Sequence, residues 1–191
     1  MSKLVYLTGK ARAGKDEFAR LWIKHNPTFK KLAFADEIKK LTSKILGLKL
    51  EDLSNPETKE KYRAFIIFGG QLGRHIDPDI WIRRLMNTPE FAGDSIVSDV
   101  RFQNELDTLE SLDGYPYHKK ICPIRIKASE KNRLARGANP EFFDDISETD
   151  LDAYEDDDFE FTVENNSTLE DLERKVIEIT HECNVKHQKL R

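Results

Sequence analysis

The chain has 191 residues, 38% apolar and 35% charged, a balance too apolar for a disordered chain and long enough for one domain with its own core. Its apolar runs are too short for a membrane span or a cleaved leader, so no membrane partner is expected. The net charge of −4 counts against a protein that coats duplex nucleic acid.

Residues 3–7 form a near-continuous apolar run, the mark of a strand buried on both faces of a parallel sheet. A glycine-containing loop follows over 9–15. A helix is expected over 16–24, with Phe18, Leu21 and Trp22 on one face. A short strand over 31–35 precedes a helix over 36–46, where Ile38, Leu41 and Ile45 share a face and Gly47 supplies the stop. Ser54-Asn55-Pro56 reads as a helix start, and Gly69-Gly70 as that helix's end.

A further helical piece spans 79–86, and a strand over 94–100 leads into Asp99. The next helix carries Phe102, Leu106, Leu109 and Leu112, and stops at Asp113-Gly114. A strand over 121–127 contains Pro123, which predicts a kink or a place near the sheet edge. Phe159, Phe161 and Val163 alternate as a last strand. Ser167-Thr168-Leu169-Glu170 reads as a capping box opening a final helix with Leu169, Leu172, Val176 and Ile179 on one face. Strands alternating with helices indicate an α/β fold on a mainly parallel sheet.

The strongest chemical signal is Gly9-Lys10-Ala11-Arg12-Ala13-Gly14-Lys15, a Gly-x-x-x-x-Gly-Lys pattern between a predicted strand and a predicted helix. Gly9 and Gly14 permit the backbone shape that turns successive amides toward phosphate oxygens, and the helix start adds its positive dipole end. Lys15 adds a cation that can follow the phosphoryl group. The residue after the lysine is Asp16 rather than Ser or Thr. Its carboxylate would then take the metal-binding place of the hydroxyl. Asp99, at the end of a second buried strand, is the other candidate metal ligand, and Arg101 beside it can clamp a phosphate bidentately.

Charge is segregated late in the chain. Residues 119–136 hold seven bases against the single acid Glu130, and residues 141–160 hold eleven acids and no base. That composition suits a flap of arginines with a counter-charged seat. Two cysteines, Cys122 and Cys183, carry no pairing signature, and a reducing compartment is expected. His181, Cys183 and His187 do not share one helical face, so no metal site is expected there.

Several segments, in order, carry a family likeness: Gly9 to Asp16, Phe34-Ala35-Asp36-Glu37-Ile38-Lys39, Gln71-Leu72-Gly73-Arg74 with Asp79-Ile80-Trp81, Val97-Ser98-Asp99-Val100-Arg101, Ile146-Ser147-Glu148, and Val163-Glu164-Asn165-Asn166. Together they resemble the P-loop kinases of the phage deoxynucleoside monophosphate kinase family, of which animal-type phosphomevalonate kinase is a structural relative. Asp after the P-loop lysine is a trait of that family.

The resemblance implies a P-loop NTPase fold of the nucleoside-monophosphate-kinase type, a three-layer sandwich with a mainly parallel five-stranded sheet. Its core would take residues 1–35, 92–127 and 158–191, with an acceptor-binding insertion over 36–91 and a lid over 128–157. It implies ATP and Mg²⁺ as cofactors, a small-molecule nucleotide acceptor, and a cytoplasmic setting, that of the host cell if phage-encoded. A homodimer is compatible with it. Transfer would fall to Lys15, Asp99, Arg101 and the lid residues Arg133 and Arg136. Gly9 to Asp16 and Asn165 would hold ATP, with Asn165 at the adenine end. Asp36, Lys39, Arg63, Arg74, Trp81 and Arg101 would hold the acceptor, and Asp16 and Asp99 the metal.

Phe65, Phe68 and Trp81 fall where such an acceptor binds; their aromatic faces suit either base stacking or core packing. Three other readings stand beside the nucleotide kinase: a phosphomevalonate kinase, a kinase on hydroxymethylpyrimidines in DNA, and a nucleotide-binding regulator without turnover.

Overall fold

The computed structural model describes residues 2–112 and 120–186. Five strands, β1 (Lys3–Thr8), β2 (Lys30–Leu32), β3 (Ser95–Val100), β4 (Lys120–Lys127) and β5 (Phe161–Glu164), form one all-parallel sheet in the order β2-β3-β1-β4-β5. The helices are α1 (Lys15–His25), α2 (Phe34–Leu46), α3 (Pro56–Lys61), α4 (Arg63–Ile76), α5 (Ile80–Met86), α6 (Gln103–Glu110), α7 (Glu130–Ala135), α8 (Ile146–Thr149) and α9 (Leu169–Lys186).

The continuous apolar run of β1 is explained by two cores. Val5 and Leu7 pack with Phe18, Leu21 and Trp22 of α1 and with Leu172, Val176 and Ile179 of α9. Leu4 and Tyr6 face the other way, onto Ile38 of α2, Trp81, Ile82 and Leu85 of α5, and Leu106 and Leu109 of α6. Each such buried side chain stabilises the fold by about 1.5–3 kcal/mol before entropy is counted. Because all strands are parallel, their carboxyl ends share one edge. At that edge, α/β sheets bind ligands.

Four expectations change in detail. The second strand stops at Leu32, and Phe34 and Ala35 open α2, because Asp99 caps those two amides. Gly69-Gly70 does not end a helix: α4 runs through both to Ile76. A Cβ at Gly73 would stand 2.5 Å from the Trp81 ring, and one at Gly70 would stand 3.1 Å from Ile38, so close helix packing explains this glycine-rich stretch. As Pro123 suggests, β4 lies near the edge of the sheet: Pro123 pairs with Tyr6 of β1, and the edge strand β5 joins only one residue later, at Ile124. The last helix is capped by Thr168, whose Oγ1 accepts from the Asp171 amide at 3.2 Å, one position along from the expected box.

The fourth change concerns sulfur. Cys122 in β4 and Cys183 in α9 are joined in a disulfide across 61 positions, a pairing that sequence separation could not reveal. Both are buried. Asp113-Gly114 and His187 lie outside the described residues. Among the described residues, no helix is long and apolar enough to cross a membrane.

Candidate active site

The loop between β1 and α1 is shaped by three positive φ angles: Gly9 at 131°, Arg12 at 61° and Gly14 at 108°. Side chains are excluded at both glycines. A Cβ on Gly9 would stand 2.1 Å from the Ile126 carbonyl oxygen, and one on Gly14 would stand 2.1 Å from Asn165 Nδ2. Gly14 then passes the chain into α1 at Lys15.

Lys15 is buried, and its Nζ donates back to the carbonyls of Gly9 at 2.5 Å and Lys10 at 2.9 Å. Burial, and then the charge of Arg101, push its pKa down to about 7, against the opposing pull of Glu148, Asp16 and Asp99. A cation folded over a phosphate-shaped loop, held there at a desolvation cost, is a group waiting for an anion.

The tip of β3 supplies Asp99 and Arg101. Asp99 is half-buried, and its two oxygens accept from the amides of Phe34 at 2.8 Å and Ala35 at 2.9 Å. Burial nevertheless holds its carboxyl above the ordinary range. Arg101 Nη1 donates to the Ser147 carbonyl at 3.0 Å and to Glu148 Oε1.

The segment after β4 closes over the loop. Arg133 is buried: its Nε donates to the Ala11 carbonyl at 2.9 Å, its Nη2 to Glu148 Oε2 at 3.3 Å, and the Phe143 ring lies 4.4 Å from its guanidinium carbon. Arg136 reaches the carbonyls of Arg12, Ala13 and Asn165. Glu148, from α8, also accepts from the Ala11 amide at 2.6 Å. The acidic run beyond it is seated on β4, where Arg125 donates to the carbonyls of Leu151 and Tyr154, and Lys127 pairs with Asp156 at 2.7 Å. Gly9, Lys10, Arg101, Arg125, Lys127 and Glu148 line an open cleft of about 360 Å³ at this edge.

This chain matches the phosphomevalonate kinase family model over residues 7–114, more than half its length. The chain belongs to that family. It is therefore a P-loop phosphotransferase, and solved structures agree with the fold. A gluconokinase from Sinorhizobium meliloti 1021 superposes with a TM-score of 0.54 at 13% identity, covering 99% of this chain and 98% of that one. A shikimate kinase from Acinetobacter baumannii in complex with shikimate gives 0.54 at 14% identity, over 95% and 94% of the two chains. The APS kinase of Mycobacterium tuberculosis in complex with AMPPNP and APS gives 0.53 at 10% identity, over 94% and 98%. At such identities the likeness is one of fold. No curated protein matches the chain.

In this kinase the predicted residues fall into distinct groups. Lys15, Arg101 and Arg133 meet at the mouth of the loop, and Arg136 braces its far side. Lys10 pairs with Asp152 at 2.7 Å. Asp16 points to solvent, where Lys31 lies 2.5 Å away. Asp36 and Lys39 pair at 2.8 Å and line a second cleft of about 350 Å³, together with Lys31 and Glu90. Arg63 stacks on Phe142, and Arg74 on Phe102 with its carbon 3.9 Å from the ring centre. Burial lowers the Arg74 pKa, with Glu105 opposing.

One assignment is corrected. Trp81 is only 1% exposed, donates from Nε1 to the Gly70 carbonyl at 3.0 Å and packs on Gly73, so it is core and cannot stack on a ligand. Asn165 gives its side-chain amide to the Ala13 carbonyl at 2.8 Å and so props the P-loop from the β5 side. The group that residue-by-residue reasoning missed is Glu148. Its one signal in the sequence is the Ile146-Ser147-Glu148 segment of the family likeness, which gives it no role within the acidic run.

Proposed function

We propose that this kinase transfers the γ-phosphoryl group of ATP to the phosphate of a (deoxy)nucleoside monophosphate, giving the diphosphate and ADP. The observation that carries the reading is the convergence of Lys15, Arg101 and Arg133 at the loop mouth, while the carboxylates there are already engaged. Asp99 is held by two amides and Glu148 by an amide and two guanidiniums. An alcohol acceptor asks for a base to take its proton. A phosphate monoester arrives ionised, with a second pKa near 6, and asks only for cations and alignment.

The site fits a nucleoside triphosphate with Mg²⁺. Gly9, Arg12 and Gly14 hold the loop in the positive-φ shape of a phosphate nest, the two glycines packing without a side chain against the Ile126 carbonyl and Asn165, and the buried amine of Lys15 lies over it. Asp16 and Asp99 are the hard oxygen donors beside this loop; Asp16 would have to leave Lys31 to hold Mg²⁺, and Asp99 would hold it with the lone pairs that its two amides leave free. When bound, the metal offsets phosphate charge. Lys15 is placed to neutralise the transferring group, Arg101 to hold the acceptor phosphate, and Arg133 to close the lid side and exclude water. The nucleoside part of the reading rests on the ordered likeness of Gln71 to Arg74, Asp79 to Trp81 and Val163 to Asn166 to the phage kinases. The family match favours a second reading, phosphomevalonate as acceptor, which shares the phosphate and lacks the base.

ADP release measured across deoxynucleoside monophosphates, phosphomevalonate, gluconate, shikimate and hydroxymethylated DNA separates these acceptors. The expected outcome is turnover with a nucleoside monophosphate, and a loss of about 10²–10³-fold in kcat for Arg133→Ala with the ATP dissociation constant little changed. Turnover with phosphomevalonate alone moves the function to the second reading. ATP binding without ADP release for any acceptor makes the protein a regulator.

A further inference from the structure

The carboxylate of Glu148 joins three parts of the chain that are far apart in sequence. Oε2 accepts from the Ala11 amide of the P-loop at 2.6 Å and from Nη2 of Arg133 at 3.3 Å, and Oε1 accepts from Nη1 of Arg101. The Ser147 carbonyl beside it takes a second bond from the same Arg101 nitrogen. Its side chain is 5% exposed and that of Arg133 is 8% exposed, so this pairing is shielded from water. Two guanidiniums brought together with no anion between them would repel each other. α8 is itself fixed: Asp145 Oδ1 accepts from the Ser147 amide at 2.9 Å. The orientation of Arg133 is set on three sides, by Glu148 at its edge, the Ala11 carbonyl at Nε, and the Phe143 ring on its face.

We propose that Glu148 is a positioning residue of the transfer site, holding the lid's Arg133 and the sheet's Arg101 on either side of the P-loop mouth. The proposal rests on the phosphoryl-transfer reading above. Glu148 acts through the two arginines, each of which carries more donors than Glu148 occupies. In the free protein its single negative charge offsets theirs. When phosphate oxygens enter, the guanidinium edges are already aimed, and reorganisation during transfer is small.

A positioning role and a merely structural one predict different kinetics. Glu148→Gln keeps the shape and removes the charge, leaving the mouth more positive. ATP then binds equally well or up to about tenfold more tightly, while kcat falls about 10²-fold because the arginines lose their fixed geometry. Glu148→Asp, which keeps the charge, recovers part of kcat.

The measurements are ATP affinity by calorimetry, kcat and KM with the acceptor found above, and amide hydrogen exchange over residues 129–138 in the nucleotide-free protein. Faster exchange over 129–138 in Glu148→Gln, with kcat lost and ATP affinity kept, supports the proposal. A kcat within twofold of wild type overturns it, as does a parallel loss of ATP affinity, kcat and melting temperature. Should the wild-type protein phosphorylate no acceptor, the transfer reading fails separately. Exchange over 129–138 then decides alone: unchanged exchange overturns the link between Glu148 and the lid, and faster exchange supports it.

Discussion

Lys15 shows what burial costs an amine. An ammonium at this depth is stable only while carbonyls or anions face it, and here the facing groups are the loop's own carbonyls. With a pKa near 7 in the folded protein, against 10.5 in the open chain, the unfolded state binds more protons between those values. Stability of the ligand-free protein therefore rises as pH goes from about 7 to about 10. Phosphate oxygens reverse the balance by favouring the charged lysine. ATP binding at pH 8 should take up close to one proton, read by calorimetry in buffers of different ionisation enthalpy, and the uptake should vanish in Lys15→Met. No uptake, or proton release, would contradict the buried and deprotonated lysine. The motif made Lys15 legible from sequence. Glu148 was not, because its meaning comes from two arginines brought to it by other strands and by the lid.

At the scale of elements, glycine carried two meanings that sequence could not separate. Gly9 and Gly14 were read correctly as backbone devices because a strand and a helix flank them. Gly69-Gly70 was read as a stop because two adjacent glycines usually break a helix. In α4, however, Gly70 and Gly73 admit the indole of Trp81 and the side chain of Ile38, a contact between elements that only the assembled fold displays. Gly73→Ala would put a methyl group 2.5 Å from Cζ2 of a buried ring, with backbone and core holding both sides. Overpacking of this kind costs about 1–3 kcal/mol. A melting temperature lower by several degrees is expected, although alanine is by itself the better helix former. An unchanged or raised melting temperature would mean that α5 moves aside freely.

For the whole molecule, the alternation of strands and helices foretold an α/β fold on a parallel sheet, and the buried character of residues 3–7 foretold a sheet covered on both faces. Pro123 marks β4 as near the edge, and β4 lies beside the edge strand β5, whose pairing starts only at Ile124, so the missing donor is tolerated. The link between Cys122 and Cys183 is not legible in the sequence: 61 positions separate them, and only the docking of α9 on β4 brings them together. Closing a loop of that length is worth on the order of 4 kcal/mol by chain entropy. Reductant, or Cys183→Ser, should therefore lower the melting temperature, and titration of the unreduced protein should find no free thiol. Equal melting curves with and without reductant would remove the link from the account of stability.

The two amides clamped by Asp99 have an evolutionary corollary. α2, which opens the segment proposed to bind the acceptor, hangs by its first turn from the strand that leads into Arg101. Whatever changes further along that segment, its point of suspension stays registered to the loop mouth. On the proposed reading, a lineage could thus exchange one acceptor for another by rewriting the far half of the attachment, with its hook left alone.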